Sequence, residues 1–248
     1  MIDTHVHYIS KSLSNLQEEI ENINKSYLTA VVNVGIDIET SKEVINISGL
    51  YPKFYSVIGI HPFSHGKVDN IINLYKENDK EKIVAIGETG LDIRESNISL
   101  HNQTQKFIDS IVAANYLKLP LVIHANGTNN QVMQILKKYN PEYGFIFHCF
   151  QPDLEVLREI MRLDGYISVG LPITRLTAKS SIQVVKEVLM NHLLIETDYP
   201  EMRRDTTGKL FDDLNMVLRK VAEIKNIPVE ELELILDNNA KRIYRKIN

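Results

Sequence analysis

The chain has 248 residues, with 28 Lys and Arg against 32 Asp and Glu and a formal net charge of −4. Hydrophobic residues make up 44% and charged residues 24%, which excludes a disordered, collagen-like or low-complexity chain. The mild acidity argues against coating long nucleic acid through bulk charge, while leaving room for a few local phosphate grips. No run approaches the ~18 consecutive apolar residues of a membrane-spanning helix. Met1-Ile-Asp-Thr-His5 lacks the basic and apolar regions of a signal peptide. Cys149 is the one cysteine, so the expectation is a cytoplasmic protein with no membrane partner and no internal disulfide.

Short runs rich in Val, Ile and Phe recur in chain order: Ile2–Val6, Ala30–Val34, Tyr55–Ile60, Ile83–Ile86, Leu121–Ile123, Gly144–Phe147, Tyr166–Val169 and Leu193–Ile195. Each reads as a strand buried on both faces. Between them lie segments of helical spacing, among them Leu13, Leu16, Ile20 and Ile23; Ile71, Leu74 and Tyr75; Leu100–Leu117; and Leu154–Leu163 behind Gln151-Pro-Asp153. Further helical stretches, Leu210–Ile224 and Val229–Ile247, follow the eighth strand. No linker, charge run or fixed-period repeat divides the chain. Alternating strands and helices imply right-handed βαβ units. Eight of them favour an α/β fold of one domain over residues 1–248, a (β/α)8 TIM barrel, over an open doubly wound sheet.

What ends each strand carries the chemistry. His5 and His7, His61, Glu88, His124, His148 and Asp198 all fall at the C-terminal ends of these strands, the face on which barrel active sites lie. His5 and His7 are two apart, so both project to one side of an extended segment. Each histidine alone reads equally well as a satisfied core residue; six placements coinciding on one face do not. Imidazoles and carboxylates suit zinc, manganese, iron or magnesium. Six protein ligands, His5, His7, Glu88, His124, His148 and Asp198, are too many for one catalytic ion that must keep an open position. They suit two divalent metals with Glu88, central in the strand order, as the shared carboxylate.

Other candidates read as structural. Cys149 adjoins His148, so alternation turns it away from the barrel axis into packing. Glu196 is expected to face the helices or a structural partner. His65, His101 and His192 fall in loops or helix starts as surface or capping residues. Arg94, Arg175, Arg203, Arg204 and Lys209 fall in loops on the catalytic face. Guanidinium forks there match phosphate geometry, and a solvated loop charge is the equal alternative.

The motifs Asp3-Thr-His-Val-His7, Gly59-Ile-His-Pro62, Ala85-Ile-Gly-Glu-Thr-Gly-Leu-Asp92, Val122-Ile-His124, Phe147-His-Cys-Phe150 and Glu196-Thr-Asp198 occur in an order that resembles the TatD-like metal-dependent deoxyribonucleases of the amidohydrolase superfamily. The resemblance spans nearly the whole chain. It implies a DNA phosphodiesterase, an exonuclease, with His5, His7, Glu88 and Asp198 on one metal and Glu88, His124 and His148 on the other. It also implies His61 near the scissile phosphate, and DNA as partner. The chain departs from the pattern at Val6, usually cysteine, at Tyr8-Ile9, which lacks an acidic residue, at Asn126, usually arginine, and after Asp198, where Tyr-Pro-Glu-Met-Arg-Arg-Asp205 follows. None of these departures removes a metal ligand; they change the loops that face substrate in that pattern. The expected mechanism is attack by a metal-activated hydroxide with Asp198 as base and proton shuttle. The rivals are a superfamily hydrolase of small amides, esters or lactones, and a non-catalytic metal-binding protein.

Overall fold

The computed structural model describes residues 1–202 and 210–247. Among these residues eight strands, β1 (Ile2–Val6), β2 (Ala30–Val34), β3 (Phe54–Ile58), β4 (Ile83–Asp92), β5 (Leu121–Asn126), β6 (Phe145–Phe147), β7 (Tyr166–Val169) and β8 (Leu193–Ile195), form one sheet in sequence order. Every neighbouring pair is parallel. The helices α1 (Leu16–Lys25), α2 (Ile38–Leu50), α3 (Val68–Glu77), α4 (Leu100–Leu117), α5 (Asn129–Tyr139), α6 (Leu154–Arg162) and α7 (Lys179–Glu187) alternate with the strands, and α8 (Leu210–Lys225) and α9 (Val229–Tyr244) follow β8.

Just beyond β8 the chain returns to β1. The Thr4 hydroxyl donates to the Ile195 carbonyl at 2.8 Å, Thr197 donates through N–H and hydroxyl to Asp3, and His7 N–H donates to the Tyr199 carbonyl at 2.7 Å. A parallel bridge joins Val6 to Tyr199. This is the (β/α)8 barrel architecture that the alternating pattern implies.

Period-two alternation sorts the strand residues into two cores. Val31, Phe54, Ile58 and Ile167 pack outward with the helices. Ile2, Val32, Val57, Val84, Val122, Ile146, Tyr166 and Leu194 come from all eight strands and form the inner cluster. Ala240, Ile243 and Tyr244 of α9, with Ile247, join that inner cluster. The Lys246 ammonium donates to the Ile83 carbonyl at 2.9 Å, where β4 begins. The C-terminal segment therefore closes the N-terminal end of the barrel.

Several boundaries differ from the pattern reading. β3 stops at Ile58, and β4 runs six residues beyond Ile86. A register shift between Ile86 and Thr89 carries β4 through Glu88 and onto β5 as far as Asp92. Gly87 (φ 152°) and Gly90 (φ 145°) permit it: a Cβ there would lie 2.5 Å from the Val122 carbonyl oxygen and 2.0 Å from that of His124. α2, α5 and α7 were not singled out by spacing. α2 is rich in β-branched residues and ends near Gly49, a poor intrinsic helix. Its capping box compensates, with Asp37 accepting from Thr40 N–H and Thr40 Oγ1 from Asp37 N–H.

Candidate metal centre

Glu88 lies at the middle of the site. Its Oε1 is 2.7 Å from His124 Nδ1, 2.8 Å from His148 Nε2 and 3.3 Å from His61 Nε2. Its Oε2 is 3.5 Å from His5 Nε2 and 3.6 Å from His7 Nε2. Asp198 Oδ1 is 3.5 Å from His7 Nε2 and 3.8 Å from His5 Nε2. The two imidazole Nε2 atoms of His5 and His7 are themselves 3.2 Å apart. All six expected ligands and His61 thus gather around one cavity of about 210 Å³, which His5 underlies and the other six line.

Hydrogen-bond partners decide which ring nitrogen faces inward. The Val34 carbonyl can only accept, so His7 donates from Nδ1 (2.9 Å) and keeps the Nε2 lone pair for the site. Asp92 Oδ2 receives His124 Nε2 at 2.9 Å, which turns His124 Nδ1 inward. Asp92 is itself fixed by Arg94 and Glu95 N–H groups on Oδ1, both at 2.8 Å. His61 is different: Phe63 N–H donates to its Nδ1 at 3.3 Å, so Nε2 carries the proton and His61 is a donor toward the cavity.

The electrostatics are those of a site built for cations. Burial pushes the Glu88 carboxyl up, but the charges of His148 and His61 and hydrogen bonds from His124 and His148 hold it well below the carboxylate range. Asp198 is driven up by burial and down by His7, His148 and His5, ending at about 2. Burial lowers His61 to about 4 and also lowers His5. For His7, His124 and His148 burial is outweighed by the facing carboxylates, and each is raised. Neither Glu88 nor Asp198 has a Lys or Arg partner among the described residues. Protons on histidine balance the buried carboxylates, and a divalent cation displaces such protons when it binds.

The donor set fits that exchange. Among the described residues, Asp198 Oδ1 and His5 Nδ1 are buried without a hydrogen bond. Ligands about 2.05 Å from a tetrahedral ion stand roughly 3.3 Å from one another, close to the 3.2–3.8 Å spacing among His5, His7, Glu88 Oε2 and Asp198. Among the described residues three triads bring ligand atoms within 4.8 Å of each other: His5, His7 and Asp198; His5, Glu88 and His148; His61, Glu88 and His124.

Other expectations meet a different outcome. Of its two expected settings, Glu196 does not face the helices but meets structural partners. It shares the parity of Leu194, an inner-core residue, and is buried behind His148, with Cys149 N–H donating to Oε1 and the Ser168 hydroxyl to Oε2. Cys149 is half-buried and lines the cavity rather than packing away from it, because β6 ends at Phe147 and Cys149 turns to φ 42°. His192 is buried against the Gly165 carbonyl (2.8 Å), not a surface group. Arg94 is exposed and Arg175 half-buried, and neither lines the cavity. Arg203, Arg204 and Lys209 lie outside the described residues. Asp92 was missed as a site residue, although it lies on the Glu88 strand at an even spacing, which could have found it.

Comparison with known proteins agrees with this geometry. A family model described as TatD related DNase matches residues 2–245. The YabD protein of Bacillus subtilis (strain 168), described as an uncharacterized metal-dependent hydrolase, is 33% identical over 252 residues, covering 99% of this chain and 99% of its own. A Methanocaldococcus jannaschii protein of the same description is 26% identical, covering 99% and 97%. Among solved structures, the TatD homologue YjjV of Escherichia coli K12 superposes with a TM-score of 0.89 at 21% identity, covering 99% of this chain and 98% of that one, a likeness of fold. Among the described residues no helix is long and apolar enough to cross a membrane.

Proposed function

Because the chain belongs to the TatD-related DNase family of metal-dependent hydrolases, we propose that it hydrolyses DNA phosphodiester bonds from a strand end, as an exonuclease using two divalent cations. The observation that carries the reading is the division of Glu88: one oxygen faces His124 and His148, the other His5 and His7. A carboxylate so placed suits sharing between two ions, with His5, His7 and Asp198 completing one ligand set and His124 and His148 the other. Zinc, manganese and magnesium are the candidates. Bound there, divalent cations supply a more acidic water and an electrophilic pull on a phosphoryl oxygen.

The chain's own groups do the rest. Asp198 is ionised at neutral pH, so it accepts the proton of the attacking water and returns it to the leaving alkoxide. His61 presents Nε2–H as a donor to a phosphoryl oxygen. Asp92 holds His124 in the tautomer that leaves Nδ1 free.

A second reading, hydrolysis of a small amide, ester or lactone, draws on Ile9, Ile36, Phe63, Ala125 and Met202. These apolar residues line the cavity, and no Lys or Arg does so among the described residues. One panel separates the two: single-stranded DNA, duplex DNA, RNA and generic esters, each with added manganese, magnesium or zinc. Metal-dependent release of nucleotides from DNA is expected, and Glu88→Ala should lose bound metal together with turnover. Turnover of esters alone would move the activity to the second reading.

A further inference from the structure

Glu196 is a buried carboxylate that the reaction above does not use. It is 1% exposed, and His148 is its sole ion-pair partner among the described residues. Both oxygens are held: Cys149 N–H donates to Oε1 at 2.6 Å, and the Ser168 hydroxyl donates to Oε2. Oε1 also lies 3.5 Å from His148 Nδ1, which is buried and makes no hydrogen bond among the described residues. On the far side of the same ring, Nε2 points at Glu88 Oε1, 2.8 Å away. For Nε2 to offer a lone pair to a cation, the ring proton must sit on Nδ1. Glu196 Oε1 is the acceptor facing it.

His124 shows the same construction completed. Its outer nitrogen is hydrogen-bonded to Asp92 at 2.9 Å, and Asp92 is pinned by two backbone N–H groups. By contrast His7 is backed by a neutral carbonyl, that of Val34, and His5 Nδ1 by no hydrogen bond among the described residues. Of the three histidines that face Glu88 Oε1, the two read as metal ligands, His124 and His148, are the two with a carboxylate behind them, whereas His61 is backed by the Phe63 N–H.

We propose that Glu196 is a positioning residue that fixes the Nδ1–H tautomer and the orientation of His148, so that Nε2 is held for a metal ion. The inference rests on the metal-centre reading and not on the choice of substrate. A carboxylate behind a metal-bound imidazole fixes the ring and raises its basicity, and its loss weakens metal binding by about 10–100-fold. A neutral amide at 196 keeps an oxygen facing Cys149 N–H and His148 Nδ1 and loses only the charge, whereas alanine supplies neither.

The test is zinc affinity, measured by competition with a chromophoric chelator on wild type and Glu196→Ala, which removes the acceptor facing Nδ1. One zinc equivalent should weaken by about 10–100-fold while the other keeps its wild-type affinity. Metal-free thermal unfolding of both proteins checks that the variant folds. Equal affinities for both equivalents overturn the inference alone; a wild type that binds no zinc overturns the metal reading and the inference with it. Nitrogen NMR of histidine-labelled, zinc-loaded wild type gives an answer that needs no variant. His148 protonated at Nδ1 is the expected result, and His148 protonated at Nε2 overturns it.

Discussion

At the C-terminal end of the barrel the strands and the loops after them deliver His5, His7, His61, Glu88, His124, His148 and Asp198 into a cavity. At the N-terminal end the same barrel is stopped by Ala240, Ile243, Tyr244 and Ile247, packed on inner residues such as Ile2 and Tyr166. The lower end buries apolar surface and ties up its polar atoms, as when the Tyr244 hydroxyl donates to the Thr4 carbonyl at 3.0 Å. The upper end buries carboxylates and imidazoles whose charges are balanced by protons. One end contributes stability, while the other holds groups that are stabilised when a cation arrives. Substitutions at the two ends should therefore separate stability from turnover.

Metal removal should have the largest effect. Chelation is expected to abolish turnover and lower Tm, since an ion bound only by the folded state stabilises it by about 4 kcal/mol at a thousand-fold excess over Kd. The gap between loaded and metal-free Tm should widen with pH. His7, His124 and His148 have raised pKa values in the folded metal-free protein. Their contribution is complete below the unfolded value near 6.5 and lost as pH rises through the folded values. Those same protons compete with the cation, so its affinity rises over that range. Full turnover in a metal-free sample would break the comparison at its upper end.

Ile243→Ala tests the lower end. The side chain is 4% exposed within the inner cluster, and truncation should cost roughly 2–5 kcal/mol, with Tm falling by about 2–4 °C for each. Below the new Tm, kcat and metal content should be unchanged. A loss of kcat without a loss of Tm would show the two ends to be coupled through the barrel.

Asp198→Asn is the converse. It keeps shape and one oxygen donor but removes the charge and the basicity needed to take a proton. At least one metal should remain bound while kcat falls by ~100-fold, about 2.7 kcal/mol of transition-state stabilisation. Near wild-type cleavage with metal present would remove Asp198 from the proton path.

How far the sequence led differs between the two ends in the same way. The cavity residues were legible because strand alternation and strand ends place side chains with little help from tertiary packing. The pairing of Asp3 with Thr197 across the β8–β1 seam, and the use of the C-terminal segment to plug the barrel, depend on contacts between residues far apart in the chain. Helical periodicity shows that α9 has an apolar stripe but not what that stripe covers. Glu196 takes the second of its two expected settings, a structural partner, for a local reason: its parity matches Leu194 and Asp198, so it turns inward onto Ser168 and Cys149 rather than out to the helices. Cys149 was misread because alternation was carried past the end of β6, where the backbone leaves the extended region.

The smallest effect sharpens the comparison from within the upper end. Asp37 caps α2 beside the cavity residue Ile36, without lining the cavity itself. Burial raises its pKa, but the Lys11 ammonium and the N–H and hydroxyl of Thr40 outweigh that and hold it below the usual value. Asp37→Ala should cost about 1 kcal/mol through the lost cap, a fall of about 2–4 °C in Tm, with kcat and metal content unchanged. Because the folded pKa is depressed, the Asp37 contribution is present above the unfolded value near 3.8 and is lost as pH falls through the folded one. The Tm difference between wild type and variant should therefore be steady at neutral pH and narrow below about pH 4. A difference that grew in acid would mean that Asp37 acts through something other than its ionised carboxylate. A fall in kcat would mean that the α2 cap helps to shape the cavity, and that stability and turnover are not separable even at this distance from Glu88.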